Sequence, residues 1–325
     1  MRELKTIVLM CTFNGEKYLK EQLNSLKLQT LRPDIVYIFD DKSTDETINI
    51  IENFIRDNEL AESWFLKQND VNKGWRLNFY DAIQSVLGEG DLVFFCDQDD
   101  IWTENKIEVM AGAMTKNPQI GVLSGKYFLV DGEGSRIHQP LKNACDETYN
   151  FRIRKVRFNQ GASHLAWGQR IGCATCARID ILDKLRYFNF VKLFAHDTWT
   201  SDIGIAFDVH YEINFPAIYY RIHNCNSSGI KQGYENQPRR KEIRLATLKH
   251  AKICLDYFLG GLENLKEARK YKKFKKLERF LGKRIRFLQS KRNKFILCFM
   301  YIRLLPYVQW WRHAAGDIYY VLFMK

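Results

Sequence analysis

The sequence contains no glycine-rich phosphate cradle. Neither GxGxxG nor GxxxxGK[ST] occurs, which removes the dinucleotide fingerprint and the P-loop from consideration. The charge of any bound diphosphate then falls to a metal ion. Proline and glycine are also sparse, 6 and 19 in 325 residues, which excludes collagen-like and low-complexity chains. No repeat recurs at solenoid or propeller periods. No stretch reaches the ~18 apolar residues of a spanning helix. The nearest, residues 295–305, is broken by Arg303 and followed by Pro306, so a re-entrant or surface-lying helix is expected there rather than a full span. The opening residues turn polar at once and carry no small-residue cleavage site, so no signal peptide is expected. The eight cysteines are scattered, and Cys173 and Cys176 have CxxC spacing but no second pair. Free thiols in a reducing compartment are expected rather than disulfides or a zinc site.

Apolar residues make up 46% and charged residues 27%, enough for a folded core. The net charge of +12 is unevenly spread: residues 239–325 carry +17 and residues 1–238 carry −5. A mildly acidic body with a basic C-terminal region suits contact with an anionic surface better than a nucleic-acid-binding domain.

The first hundred residues alternate between short apolar runs and amphipathic stretches. Strands are expected at 6–10, 35–39, 64–66 and 92–96, with helices at 18–28, 46–55 and 75–87. Continuously apolar strands imply a parallel sheet covered on both faces, a Rossmann-like half whose ligand lies beyond the carboxyl ends of the strands. Those ends read Cys11-Thr12-Phe13-Asn14, Asp40-Asp41 and Asp97-Gln98-Asp99-Asp100. Three carboxylates within four residues repel one another unless a cation sits among them, and carboxylate oxygens suit Mg²⁺ or Mn²⁺. The plainer alternative is a solvated turn that caps the next helix. Asp40-Asp41 is followed by Ser43, Thr44 and Asp45, each a candidate N-cap. Further strands are expected at 120–124, 126–130 and 213–220. Beyond Pro238 the chain reads as helical and basic, with Tyr271, Phe274, Leu277, Leu281, Ile285 and Leu288 on one face.

These residues carry a resemblance. Val8 to Gly15, with Tyr18-Leu19, Ser25-Leu26 and Gln29-Thr30, is similar to the opening of family 2 glycosyltransferases. Asp40-Asp41-x-Ser43-x-Asp45 resembles their nucleotide-binding turn, and Asp97-x-Asp99-Asp100-Ile101-Trp102 their DxD metal motif. Asn72-x-Gly74 and Asn78-Phe79 fit the segment between. His196-Asp197-x-Trp199 resembles the base motif of the rhamnosyltransferase-like subgroup, and Tyr220-Arg221-x-His223 with Asn226 the closing segment.

The resemblance covers residues 5–230 and implies an α/β GT-A fold, Rossmann-like with a mixed sheet, over residues 1–238. It implies inverting transfer of one sugar from a nucleotide-diphosphate sugar, carried on dTDP in the rhamnose case, with galactose and glucose donors as alternatives. Thr12, Asp41 and Arg76 would meet the base, with Asn14 and Asp40 in the same nucleotide-sugar site. Asp97 would lie on the ribose or diphosphate side. Asp99 would hold Mg²⁺ or Mn²⁺, and Asp197 would be the base. His223 would be a second metal ligand, a diphosphate donor, or a loop histidine. Trp102, His196 and Trp199 would shape the acceptor or donor-sugar pocket, His196 alternatively capping a helix. The processive QxxRW motif is absent from its place, which favours one addition per visit. A sugar-1-phosphate nucleotidyltransferase and an inactive nucleotide-sugar-binding protein are the rival classes.

For residues 239–325 the expectation is a basic amphipathic tail. It would hold the protein on the cytoplasmic face of an anionic membrane, near a glycan or lipid-linked acceptor, with no nucleic-acid partner. Packing of the stripe on the protein itself, or in a homo-oligomer through these helices, is the alternative.

Overall fold

The computed structural model describes residues 3–138, 144–145, 148–156, 170–188, 194–224, 226 and 241–289. They fall into two compact units. The first lies within Met1–Arg157, Gln169–Leu185 and Phe194–Ile230, the second within Phe158–Gly168, Arg186–Leu193 and Lys231–Lys325.

The first unit opens with β1 (Thr6–Thr12), α1 (Glu16–Lys27), β2 (Ile35–Asp40), α2 (Thr47–Asp57), β3 (Trp64–Gln68), α3 (Trp75–Ser85) and β4 (Leu92–Cys96). β1 and β4 are buried along their whole length, as their apolar runs require. Then follow β5 (Ile101–Trp102), α4 (Lys106–Lys116), β6 (Val122–Val130), β7 (Arg136–Ile137), β8 (Ile153–Lys155), β9 (Thr175–Arg178), α5 (Ile179–Leu182), α6 (His196–Ala206) and β10 (His210–Arg221). All ten strands form one sheet in the order β3-β2-β1-β4-β9-β6-β10-β5, with β7 on β6 and β8 on β10. β3, β2, β1 and β4 are parallel, whereas β9 runs antiparallel to both β4 and β6. The strand order reverses at β1, between β2 and β4, and a ligand crevice opens at such a switch point.

One departure from the sequence reading has a local cause. Residues 120–124 and 126–130 are expected as two strands, but one strand runs through Gly125. A Cβ at Gly125 would lie 2.7 Å from that of Ala217, so glycine here admits the β10 backbone. β10 in turn shifts register around Pro216, which cannot donate to the ladder. At α2 the N-cap position is Glu46, and the side chain of the preceding Asp45 meets the exposed N–H groups. One carboxylate oxygen accepts from Thr47 N (3.0 Å) and the other from Glu16 N (3.2 Å), so one side chain serves the starts of both α1 and α2. Partial burial pushes this carboxyl up, but the hydrogen bonds from Thr47 and Glu16 outweigh it and leave its pKa below the ordinary value.

In the second unit α7 (Lys241–Asn264) and α8 (Ala268–Gln289) pack as a helical pair. The apolar stripe of α8 is turned inward. Phe274, Leu277, Leu281, Ile285 and Leu288 are buried and Tyr271 is half-buried. Phe274 meets Phe258 edge-on at 5.2 Å, and Phe258 stacks on Phe188 at 5.1 Å. The stripe is therefore interior packing and not a face open to lipid, which corrects that part of the expectation. The charges stay outside: Lys272, Lys273, Lys276, Arg279, Lys283 and Arg286 are exposed. No helix among the described residues is long and apolar enough to cross a membrane. The apolar segment 295–311 lies outside the described residues.

Candidate active site

A cavity of about 1290 Å³ opens at the carboxyl ends of β1 and β4. Its floor comes from the β1 turn, Asp41 and the Asp97–Asp99 turn; its far wall comes from Gly172, the start of α6 and His223.

The two adjacent aspartates after β2 do different work. Asp40 is fully buried and knits backbone: it accepts from Thr12 Oγ1 (2.8 Å), Ser43 N (2.7 Å) and Ser43 Oγ (2.5 Å). Asp41 faces the cavity and accepts from Asn69 Nδ2 (3.0 Å), Lys73 N (2.9 Å) and Gly74 N (2.8 Å). Gly74 has φ +80, a backbone shape that favours glycine, so this turn is built to aim its N–H at Asp41. Asn14, also left-handed at φ 47, donates its N–H to Ser43 Oγ (2.9 Å) and accepts from Thr44 N on its side-chain oxygen (2.9 Å). Asn14 thereby joins the β1 and β2 turns.

Gln98 binds the β1 turn to the β4 turn. Its Oε1 accepts from Phe13 N (2.8 Å), and its Nε2 donates to Phe13 O (3.0 Å). A Cβ at Gly15 would sit 2.5 Å from Gln98 Oε1, so the clamp requires glycine there.

The carboxylates of the acidic turn act on one another. Burial, then the charge of Asp99, raises the Asp97 carboxyl to about 7; Asp197 also contributes, which places it within electrostatic reach. Asp100 is raised well above the carboxylate range by burial and by Asp99 and Asp97. Its Oδ1 accepts from Arg221 N (3.0 Å), whereas its buried Oδ2 has no hydrogen-bond partner among the described residues. Asp99 Oδ2 pairs with His223 Nε2 at 2.8 Å. Arg221, buried and packed on Tyr18 (4.6 Å), donates to Asp99 O (2.9 Å) and Gly132 O (3.0 Å) and pairs with Glu21. Lys106 is wholly buried over the Trp102 ring (3.1 Å) and donates to Cys173 O (2.5 Å); burial lowers its pKa to about 8.

Asp197 sits in the first turn of α6, where Oδ1 accepts from Thr198 N (2.6 Å) and Thr198 Oγ1 (3.1 Å). His196 is buried in the cavity wall, stacked on Phe79 (3.8 Å), with both ring nitrogens unpartnered among the described residues. Burial lowers its pKa to about 3, so it is neutral at physiological pH. A Cβ at Gly172 would lie 2.0 Å from His196 Nε2, so this wall also depends on a glycine. Behind it a chain of hydrogen bonds runs from His210 Nε2 to Ser124 Oγ (3.0 Å), on to Thr175 Oγ1 (2.9 Å) and to Ile171 O (2.9 Å).

The cavity thus brings together Thr12, Asn14, Asp41, Asp97, Asp99, His196, Asp197 and His223. Four of the expected site residues do not line it. Asp40 is turned inward. Trp102 and Trp199 belong to the core, 2% and 0% exposed. Arg76 is exposed on α3, over the Trp75 ring at 4.6 Å. Gln98, Lys106 and the His210–Ser124 pair are supports that sequence reasoning missed. Each depends on contacts between residues distant in the sequence, such as Gly15 against Gln98, and no local pattern announces them.

The family model for glycosyl transferase family 2 matches residues 7–177. Over 103 residues, 30% of this chain and 34% of that protein, the sequence is 41% identical to the dTDP-rhamnosyl transferase RfbG of Shigella flexneri. It is 31% identical over 123 residues, 37% of this chain and 42% of that protein, to the UDP-Gal:alpha-D-GlcNAc-diphosphoundecaprenol beta-1,3-galactosyltransferase of Escherichia coli. The matches to the first curated relatives span about a third to a half of those proteins' lengths, 34%, 50% and 40%. Among solved structures, Staphylococcus aureus TarS in complex with UDP-GlcNAc superposes with a TM-score of 0.56 at 19% identity, covering 98% of this chain and 81% of that one. That likeness shows the shared GT-A fold.

Proposed function

The chain belongs to glycosyl transferase family 2, and from that premise we propose that it is an inverting glycosyltransferase. It would move one sugar from a nucleotide-diphosphate sugar to a glycan or lipid-linked acceptor. The observation that carries this reading is the meeting, in one cavity, of the Asp41 turn, the Asp97–Asp99 turn and Asp197. The rhamnosyl relative favours a dTDP-deoxysugar donor.

Asp41 and Thr12 bind the base and ribose side, and Asn14 holds that turn in shape. A divalent cation, Mg²⁺ or Mn²⁺, suits the opposite side. Asp97, Asp99 and His223 offer carboxylate oxygens and one imidazole, and burial and the Asp99 charge both disfavour an ionised Asp97 without a cation beside it. Cys173 lies within 4.8 Å of the Asp97 and Asp100 donor atoms, but burial raises its thiol well above the ordinary value, so it stays protonated and makes a poor ligand. When bound, the cation would supply counter-charge to the leaving diphosphate. Asp197 then acts as general base: it takes the proton of the acceptor hydroxyl as that oxygen attacks the anomeric carbon from the face opposite the diphosphate. Neutral His196, with Phe79 and Gly172, shapes the wall beside it. Holding base, donor and acceptor in line contributes as much as the proton transfer itself.

A lipid-linked acceptor is supported by the Escherichia coli relative, whose name specifies a diphosphoundecaprenol-linked sugar. A protein working on such an acceptor would meet an anionic membrane on its cytoplasmic face, and the exposed basic face of α8 suits that contact without lipid insertion. The test is Asp197→Asn, close in shape but unable to take the proton. Calorimetric affinity for the nucleotide sugar should stay within a few-fold of the unaltered protein while turnover falls about 10²-fold or more. Unchanged turnover would remove Asp197 as the base.

A further inference from the structure

The second unit carries its own groove, of about 360 Å³, between Tyr187 and one side of α7. Two consecutive glycines, Gly260 and Gly261, form its floor. Glycine is among the least favourable residues in a helix, and neither of these takes a positive φ, so the backbone does not ask for them. Gly261 has a packing reason: a Cβ there would lie 2.0 Å from the Phe188 ring. Gly260 has none, because a Cβ there would meet nothing within 4 Å. What glycine preserves at 260 is the groove itself.

The walls have a definite chemistry. Tyr187 and Tyr257 are 37% and 42% exposed and flank the floor. Asp256 and Glu263 bring carboxylates to the groove, and the first of them is paired with Lys252 at 2.8 Å. Asn264 Nδ2 donates to Tyr187 O (3.1 Å), which ties the tyrosine segment to the end of α7. Aromatic faces suit the C–H face of a pyranose, and the Asp256 and Glu263 carboxylates with the Asn264 amide suit its hydroxyls. A phosphorylated ligand would meet two carboxylates against the one Lys252 ammonium, an excess of negative charge, and a purely apolar one would leave the carboxylates desolvated.

We propose that this groove is a carbohydrate-binding site, taking a neutral pyranose unit of a glycan. The proposal stands on the groove alone. Only the further step, that the glycan is the acceptor, rests on the transfer reaction above.

The test is saturation-transfer NMR on the full chain with the methyl glycosides of glucose, galactose, rhamnose and N-acetylglucosamine, one at a time. At least one should receive saturation, strongest on ring-face protons. Gly260→Leu fills the groove where the structure has room, and Tyr257→Ala removes one platform. Each should weaken binding about tenfold, the effect of one lost contact of average strength. Asp197→Asn, in the other cavity, should leave the signal intact. Gly260→Ala should raise thermal stability, which shows that the position tolerates a side chain. The proposal fails if no glycoside receives saturation, or if the signal survives in a folded Gly260→Leu protein. It also fails if light scattering shows that Gly260→Leu splits an oligomer, since the groove would then be a contact between copies of the chain.

Discussion

Gln98→Glu replaces one atom in the clamp between the β1 and β4 turns. In the native side chain Nε2 donates to Phe13 O at 3.0 Å while Oε1 accepts from Phe13 N at 2.8 Å. An ionised carboxylate in its place keeps the second bond and turns the first into two facing oxygens. Losing the donor costs about 1 kcal/mol. The new charge also joins Asp97 and Asp99, its sequence neighbours, in a partly buried turn. At an effective dielectric near that of water on the outer side, this repulsion adds roughly 1–2 kcal/mol. The expected destabilisation is about 2–3 kcal/mol above neutral pH, or roughly 3–4 °C in melting temperature for a protein of 325 residues. The assay is thermal unfolding in EDTA, repeated across pH. Near pH ~4 the introduced carboxylate regains a proton, and with it a donor, so the gap should narrow. Saturating Mn²⁺ should also narrow it. A variant as stable as the unaltered protein at pH ~8 would refute the clamp.

Other consequences can be checked in the same preparations. Asp97 binds its proton more tightly folded, at about 7 against the ordinary 3.8, so the metal-free protein loses stability as pH rises through that window. His196 and His210, whose pKa values burial lowers to about 3, act in the opposite sense and lose stability as pH falls. The difference between the unaltered protein and Asp97→Asn therefore isolates the Asp97 part: the variant's relative stability should rise from pH ~4 to ~7, and parallel curves would count against it. For the basic face of α8, changing Lys272, Lys273 and Lys276 to Gln should weaken binding to anionic vesicles about a hundredfold, at ~1 kcal/mol per residue, and transfer to a soluble acceptor should persist. Equal binding by both proteins would place the membrane contact elsewhere.

The parallel half of the sheet was legible because β1, β2 and β4 are continuous apolar runs that end in polar residues, and those ends were the cavity floor. The antiparallel insertion was not. β9 is four residues, Thr175–Arg178, wedged between β4 and β6 by pairings some 80 and 50 residues away in sequence, and no local pattern announces that. Side-chain direction was the other blind spot. Asp40 and Asp41 look alike in the sequence, yet the turn sends one inward to Thr12 and Ser43 and the other to the cavity. Trp102 and Trp199 sit beside the candidate residues Asp100 and Asp197 in their motifs and pack in the core. The α8 stripe was read correctly as one helical face, but amphipathicity does not say whether protein or lipid covers it. Phe258 and its neighbours do.

Inverting transfer is most directly tested by NMR of the reaction itself. The protein is mixed with Mg²⁺, an acceptor and each of a panel of nucleotide sugars, dTDP-rhamnose among them, and followed by phosphorus and proton spectra together. With the accepted donor, the phosphorus spectrum should show nucleoside diphosphate appearing in step with product, and the proton spectrum a new anomeric signal of opposite configuration to the donor. Pyrophosphate as the released species, or a product that keeps the donor's configuration, would contradict the account.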